Sequence, residues 1–219
     1  MARRTKEEAQ ETRNKLIDTA ERMFSEKGVS RTSLADIAEA AGLTRGAIYW
    51  HFKNKADLFE AMIRRVVLPM EEMVERFGDL AIDEPLLFIK AGAMNALRMI
   101  ENDAQVQCVF EIMFHKCEAV DEMANVRERQ ITNRNECFDC VEQGIANAIE
   151  KGHLPASVNP RVAAIGLHAV MDGLISNWML EPGYFSLTDD GEKIIDAYLA
   201  GLAQMKQSSR VLPLARKRA

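Results

Sequence analysis

TSLADIAEAAGLTRGAIYWHFKNK, residues 32–55, divides into two short helices around a tight turn. Ser33 is placed to cap the first helix, and Asp36, three positions on, completes a capping-box pattern. Leu34, Ile37, Ala38 and Ala41 recur at helical spacing and give that helix one apolar face. Gly42 comes next, where a left-handed backbone costs any residue with a Cβ more. Leu43 reads as a plug in the turn, and Thr44 as the N-cap of a second helix, Arg45 to His51. Two short helices around a glycine-containing turn make a helix-turn-helix, which predicts a reader of double-stranded DNA.

The totals set limits on the rest. With 219 residues, 6 Pro and 12 Gly, and long stretches of helical rather than alternating periodicity, the chain is expected to be all-α, with about nine helices. The net charge is −5. Residues 1–60 carry 11 Lys and Arg against 10 Asp and Glu, and the remaining 159 carry 17 against 23. A DNA contact must then use a local cluster of cations, not a domain-wide field. No secretory leader is read in Met1 to Lys15, and Ala163 to Leu180 contains His168 and Asp172, so it reads as a buried helix and not a membrane span. Four cysteines without a secretory context suggest a reducing cytoplasm.

In chain order, a helix is predicted from about Glu8 to Lys27, with Leu16, Ile17, Ala20, Met23 and Phe24 on its buried stripe. Asn54 caps a long helix from Lys55 whose end is set by Gly78, with Pro69 as an expected kink. Further helices are predicted at Pro85–Ile100, Asp103–His115, Asp121–Lys151, Pro160–Leu180 and Asp189–Met205. Expected domains are a DNA-binding head at 8–54, with its helix-turn-helix at about 33–52, and a ligand-binding and dimerisation domain at 55–206. The stretch 207–219 is expected to be a disordered tail.

Phe24, Gly28, Thr32-Ser33, Ile37-Ala38, Ala41-Gly42, Ala47 to Phe52, Lys55 and Leu58 together resemble the TetR family of transcriptional repressors. MARRTKEEAQETR, LTRGAIYWHFKNK and the later FHKCE are similar to its AcrR- and TtgR-like subgroup, which represses multidrug efflux pumps. The resemblance implies a repressor that binds a palindromic operator as a homodimer and is released by small hydrophobic or aromatic compounds.

The second helix would enter the groove by its N-terminal residues. Arg45 is the candidate base reader, because a guanidinium can bond O6 and N7 of one guanine together. Gly46 lets the helix approach closely, Ala47 could meet a thymine methyl, and Thr44 reaches phosphate or base. The resemblance implies phosphate contacts from Tyr49 and His51. Lys55, at the start of the linking helix, offers its charge to a phosphate, and Ser33 is either a second phosphate contact or only a cap. Trp50 reads either as part of this surface or, like Phe52, as core holding the helix.

The C-terminal half shows apolar stripes on its last two helices: Ala163, Gly166, Leu167, Val170, Leu174 and Trp178, then Ile194, Ile195, Tyr198, Leu199 and Leu202. The family pairs these helices across a dimer, which is the expectation here. Polar residues on otherwise apolar faces, among them Asn133, His168 and Asp172, must pair with one another or serve a ligand. The resemblance places Val66, Met70, Ala96, Phe110, Met113, Phe114, Cys137, Val141, His168, Met171, Asp172 and Ile175 around an effector. Phe110 stands where the subgroup carries an amide, and His168 where it carries an aromatic ring.

Two rivals remain. One is a DNA-binding regulator without small-molecule input. The other is a helical enzyme using His115 and Cys117, two positions apart on a helix and so not facing each other. Cys137-x-x-Cys140 lies within a long helix without a second ligand pair, so no metal and no cofactor is expected.

Overall fold

The structure is a computed structural model that describes residues 6–117 and 124–205. Those residues form nine α-helices and no strand. Three make the head: α1 (Lys6–Lys27), α2 (Leu34–Ala40) and α3 (Arg45–His51). They close on Leu16, Ile17, Phe24, Ile37, Ile48 and Phe52, each at most 1% exposed.

From the head, α4 (Lys55–Val74) runs into the body and tightens into a 3-10 turn at Glu75–Gly78. The helix continues through Pro69 without interruption, and the change in geometry comes six residues later, in the tighter turn. The body adds α5 (Pro85–Asn102), α6 (Ala104–Glu111), a π-helical segment (Ile112–Lys116), α7 (Ala124–Glu150), α8 (Pro160–Leu180) and α9 (Asp189–Ala203). Pro85 and Pro160 open their helices from the first turn, where a missing N–H costs nothing. Asp103 caps α6 by accepting from the N–H groups of Gln105 (2.8 Å) and Val106 (3.2 Å). The single helix expected over 103–115 is thus an α-helix that widens into π geometry after Glu111. Residues 118–123 and 206–219 lie outside the described residues, and with them the expected start of α7 at Asp121 and the expected tail.

The same core continues into the body through Ile89, Leu97, Ile100, Val109, Ile112 and Ile145, all at most 1% exposed. At its edge α7 passes close to the 3-10 turn. A Cβ on Gly144 would stand 2.7 Å from the Phe77 carbonyl oxygen and 2.9 Å from Ile89 Cδ1. Gly144→Ala is therefore expected to lower unfolding free energy by about 1–2 kcal/mol, read from the urea midpoint at constant slope.

Charged and polar groups tie head to body. Arg65 on α4 holds Asp18 (2.7 Å) and Glu21 (3.0 Å) of α1, and Gln105 donates to the same Glu21 carboxylate at 3.2 Å. The Val29 N–H, in the turn after α1, donates to the Lys116 carbonyl at the end of the π segment (3.0 Å).

Inside the body, Glu101 at the end of α5 accepts from Ser186 Oγ, the Leu187 and Thr188 N–H groups and Thr188 Oγ1. These groups lie immediately before α9. Lys90 adds ion pairs to Glu192 (2.9 Å) and Asp196 (2.6 Å) on that helix.

One sequence expectation is corrected here. Ala163, Leu167, Leu174 and Trp178 are buried within the chain, not offered to a partner. Helix α8 packs on α7 and α9, Tyr198 donates to the Ala163 carbonyl at 2.8 Å, and Trp178 Nε1 donates to the Phe185 carbonyl at 3.2 Å. The most apolar stripe of α8 therefore went to the chain's own core. Its exposed large apolar residues are Val162, Ile165 and Leu180, on other faces. On α9, Ile195 and Leu202 are likewise internal, while Ile194 is 43% exposed.

Candidate DNA-reading head and effector region

Local capping builds the head as the sequence demands. Ser33 Oγ accepts from the Asp36 N–H (3.2 Å) while the Asp36 carboxylate takes the Ser33 N–H (3.0 Å). Hydrogen bonds from Ser33, the side-chain one first, hold the Asp36 carboxyl below its ordinary range. Helix α2 ends with Gly42 in the left-handed region (φ +67°). Its N–H reaches Glu39 O (2.9 Å), and the Leu43 N–H reaches Ala38 O (2.8 Å), the two crossed bonds of a Schellman ending. Leu43 folds back onto the core. Thr44 Oγ1 then accepts from the Ala47 N–H at 3.2 Å and starts α3.

Only Ile48 on α3 is fully buried. Thr44, Arg45 and Gly46 are exposed, and Ala47 and His51 are half-buried. Tyr49 is 54% and Trp50 73% exposed. Of the two positions open for Trp50, the structure places it on the surface, its ring edge-on to His51 with centroids 4.6 Å apart. Phe52 is core at 1% exposure, and the Arg13 guanidinium lies 5.0 Å over its ring. The outward face of α3 thus presents a guanidinium, a glycine, a hydroxyl and two amphipathic rings.

Beside it lies a cleft of about 540 Å³ lined by the turn before α2, the N-terminus of α2, Tyr49, and Lys53 to Lys55. Ser33 and Tyr49 both line it. Lys55 is placed differently from the expectation of an open ammonium. It is 5% exposed at the base of the cleft, with Nζ 3.5 Å from the Ser30 carbonyl. Asn54 and Asp57 cap α4 above it, through Asp57 N to Asn54 Oδ1 (2.8 Å) and Lys53 N to Asp57 Oδ2 (2.9 Å). Lys55 thus braces the turn that carries Ser30 to Ser33.

The expected effector residues come from six elements that pack on one another: α4, α5, α6, the π segment, α7 and α8. Val66, Phe110, Val141 and Ile175 are buried. Met70, Ala96, Met113, Phe114, Cys137, His168 and Met171 are half-buried. Phe110 and Phe114 stack with centroids 6.3 Å apart, and His168 meets the Phe138 ring edge-on at 4.9 Å. Burial pushes the His168 imidazole below its usual value, against the opposing pull of Asp172, so it is neutral at neutral pH. Asp172, expected among these residues as the polar group for a ligand, is exposed one turn beyond His168. Burial raises the Cys137 thiol to about 11. At pH 8 only about one thiol in a thousand is then ionised, so Cys137 is expected to react with iodoacetamide far more slowly than a free cysteine, read by mass spectrometry.

The sequence missed the pairs that span it: Arg65 with Asp18 and Glu21, Glu101 with Thr188, and Asn133 with Glu71 (2.8 Å). No local pattern marks partners separated by 44 to 87 positions. Among the described residues, no group of three His, Cys, Asp or Glu could hold a metal ion, and no helix is long and apolar enough to cross a membrane.

A capped helix-turn-helix with an exposed polar reading face, carried on a larger helical body, defines a DNA-binding regulator. Comparison with known proteins agrees. Residues 16–62 match the model for bacterial regulatory proteins of the tetR family, and residues 84–204 match that for the C-terminal region of MAATS-type transcriptional repressors. The HTH-type transcriptional regulator TtgR of Pseudomonas putida is 40% identical over 199 residues, covering 91% of this chain and 95% of TtgR. Among solved structures, NalD of Pseudomonas aeruginosa, the secondary repressor of the MexAB-OprM multidrug efflux pump, superimposes with a TM-score of 0.81 at 34% identity, over 89% of this chain and 98% of NalD. The complex of SmeT, the Stenotrophomonas maltophilia efflux-pump repressor, with triclosan gives 0.81 at 32% identity, over 96% and 99%. The chain belongs to the TetR family of transcriptional regulators, and it is a regulator rather than an enzyme.

Proposed function

We propose that this chain represses a multidrug efflux operon: a dimer holds a palindromic operator and is released when a small hydrophobic or aromatic compound enters the body. The head is residues 8–54 and the effector and dimerisation domain residues 55–206. Arg45 reads a base, while Thr44, Gly46, Ala47 and Trp50 shape the contact. Ser33, Tyr49 and His51 meet phosphates, and Lys55 supports that surface from beneath. Head and body both match repressors of efflux pumps, one of them solved with triclosan, and this carries the proposal.

Dimers set two reading helices about 34–36 Å apart, one turn of duplex. Pairing through α8 and α9 is supported by the exposed Val162, Ile165 and Ile194. Helix α4 joins head to body, so a ligand that favours a different α4 position changes that spacing. Release needs the ligand to bind the spread state better than the DNA-bound one. The test is footprinting on the DNA flanking the chain's own gene, with subsequent titration of triclosan and a panel of antibiotics, flavonoids and dyes. A protected palindrome beside an efflux operon, cleared by at least one compound, is expected. Protection that no compound reverses would leave a DNA-binding regulator without an effector.

A further inference from the structure

Helix α4 carries the chain about 30 Å away from the head over its 20 residues. Past the 3-10 turn, at the end of the body opposite the head, the loop and first turn of α5 read DLAIDEPLL (residues 79–87), with acids and no cation. Asp79, Asp83 and Glu84 are exposed, and Leu80 and Leu87 beside them are 67% and 62% exposed. A single exposed leucine is ordinary, but two on one short acidic stretch make an apolar surface left uncovered among the described residues. Lys151 approaches the fully exposed Asp83 only to 3.9 Å, and Arg76 is turned onto the Phe88 ring.

The described chain ends on the same side. Helix α9 runs antiparallel to α5: a Cβ on Gly191, near its start, would stand 2.6 Å from Leu97 Cδ1, and further along Asp196 pairs with Lys90 at 2.6 Å. The last turn of α9 is thereby carried toward Leu87. Ser157 Oγ donates to the Met205 carbonyl at 2.6 Å, and the same loop brings His153 Nδ1 to 3.7 Å from Glu84. From that point residues 206–219, KQSSRVLPLARKRA, carry Lys206, Arg210, Arg216, Lys217 and Arg218 with no acid, around the apolar run 211–214. At about 3.3 Å per residue, an extended chain from Met205 to Val211 reaches up to ~20 Å, enough to cross to the acidic loop.

We infer that residues 211–218 dock on this chain's own acidic loop, with Val211, Leu212 and Leu214 covering Leu80 and Leu87, and Arg216, Lys217 and Arg218 meeting Asp79, Asp83 and Glu84. Apolar burial supplies the adhesion, while the charges, weak singly at exposed sites, set direction and register. Docking orders a stretch that has no helical stripe of its own. It also holds the cations at the end of the body opposite the DNA-reading head.

Hydrogen exchange on the full chain tests this. The combined reversal Arg216→Glu, Lys217→Glu and Arg218→Glu is expected to make the amides of residues 79–84 exchange about 5-fold or more faster than in wild type. Adding Asp83→Lys and Glu84→Lys should restore slow exchange, a rescue that simple damage to the loop would not allow; Asp79 is left in place because its Oδ1 accepts from the Ala81 N–H. Carbodiimide coupling of wild type should join Lys217 to Asp79, Asp83 or Glu84 in a product with the mass of one chain. Loop exchange unchanged by the tail reversal would overturn the docking. Couplings found only at the mass of two chains would give the surface to a second copy's tail instead. Operator affinity should stay within about twofold in the tail reversal, and a larger loss with a smaller salt slope would place the cations on DNA and overturn the inference.

Discussion

Arg45→Ala is expected to lower operator affinity by roughly 10- to 100-fold, equivalent to ~1–3 kcal/mol, and to flatten sequence preference at one base pair of each half-site. The size reflects where Arg45 sits. It is the first residue of α3, exposed, with Gly46 beside it adding no bulk, and Thr44 and Ile48 fix the helix beneath. Removing a bidentate contact leaves the guanine acceptors to water, whereas phosphate contacts elsewhere on the head keep most of their nonspecific affinity. Fluorescence anisotropy on a panel of single-base operator variants measures it. An equal loss on operator and on unrelated duplex would show Arg45 to be a phosphate contact.

The second large effect concerns the body. Glu101→Ala should destabilise the fold by about 3 kcal/mol, because two backbone N–H groups and two hydroxyls at the entry to α9 lose one charged acceptor together. Partial burial raises the Glu101 carboxyl, but hydrogen bonds from Thr188, Leu187 and Ser186 outweigh it and hold the group below its usual value. A carboxyl depressed in the folded state adds stability that is present above its unfolded pKa of about 4.3, and that fades as pH falls through the lower folded value. Wild type should therefore lose more stability than Glu101→Ala as pH falls below about 4.3 and through the lower folded value, so the two denaturation midpoints converge there. A pH-independent gap would mean that Glu101 acts by packing alone. Since α9 is the helix assigned to the dimer, sedimentation of the variant should also show more monomer at equal concentration.

How much of the fold is written locally explains what the sequence revealed. The caps at Ser33, Thr44, Asn54 and Asp103, and the left-handed Gly42, involve partners within five positions, so spacing alone discloses them. The α8 stripe misled because both faces of that helix are apolar. Periodicity identifies an apolar face but not whether the chain's own α7 or a second subunit covers it. Lys55 misled for a related reason: a long side chain at a helix start looks available until a turn 25 positions earlier is seen folded over it. Trp50 stayed open between surface and core because a large ring is usually interior, and here it is mostly exposed. For the effector region, likeness to relatives supplied the names, and Glu71 with Asn133 needed the fold.

The π segment Ile112–Lys116 holds one more residue than an α-helix would fit into the same rise. It is a small reserve of chain, placed at Met113 and Phe114, two residues assigned to the effector. Tightening it to α geometry would free that residue and turn the end of the segment by about 100°. That end carries the Lys116 carbonyl, bonded to Val29 in the turn that leads to Ser33. The body therefore grips the head through α4, through this carbonyl and through Gln105 on Glu21. A change of helical register at the second would loosen the DNA-facing turn while α4 stayed still.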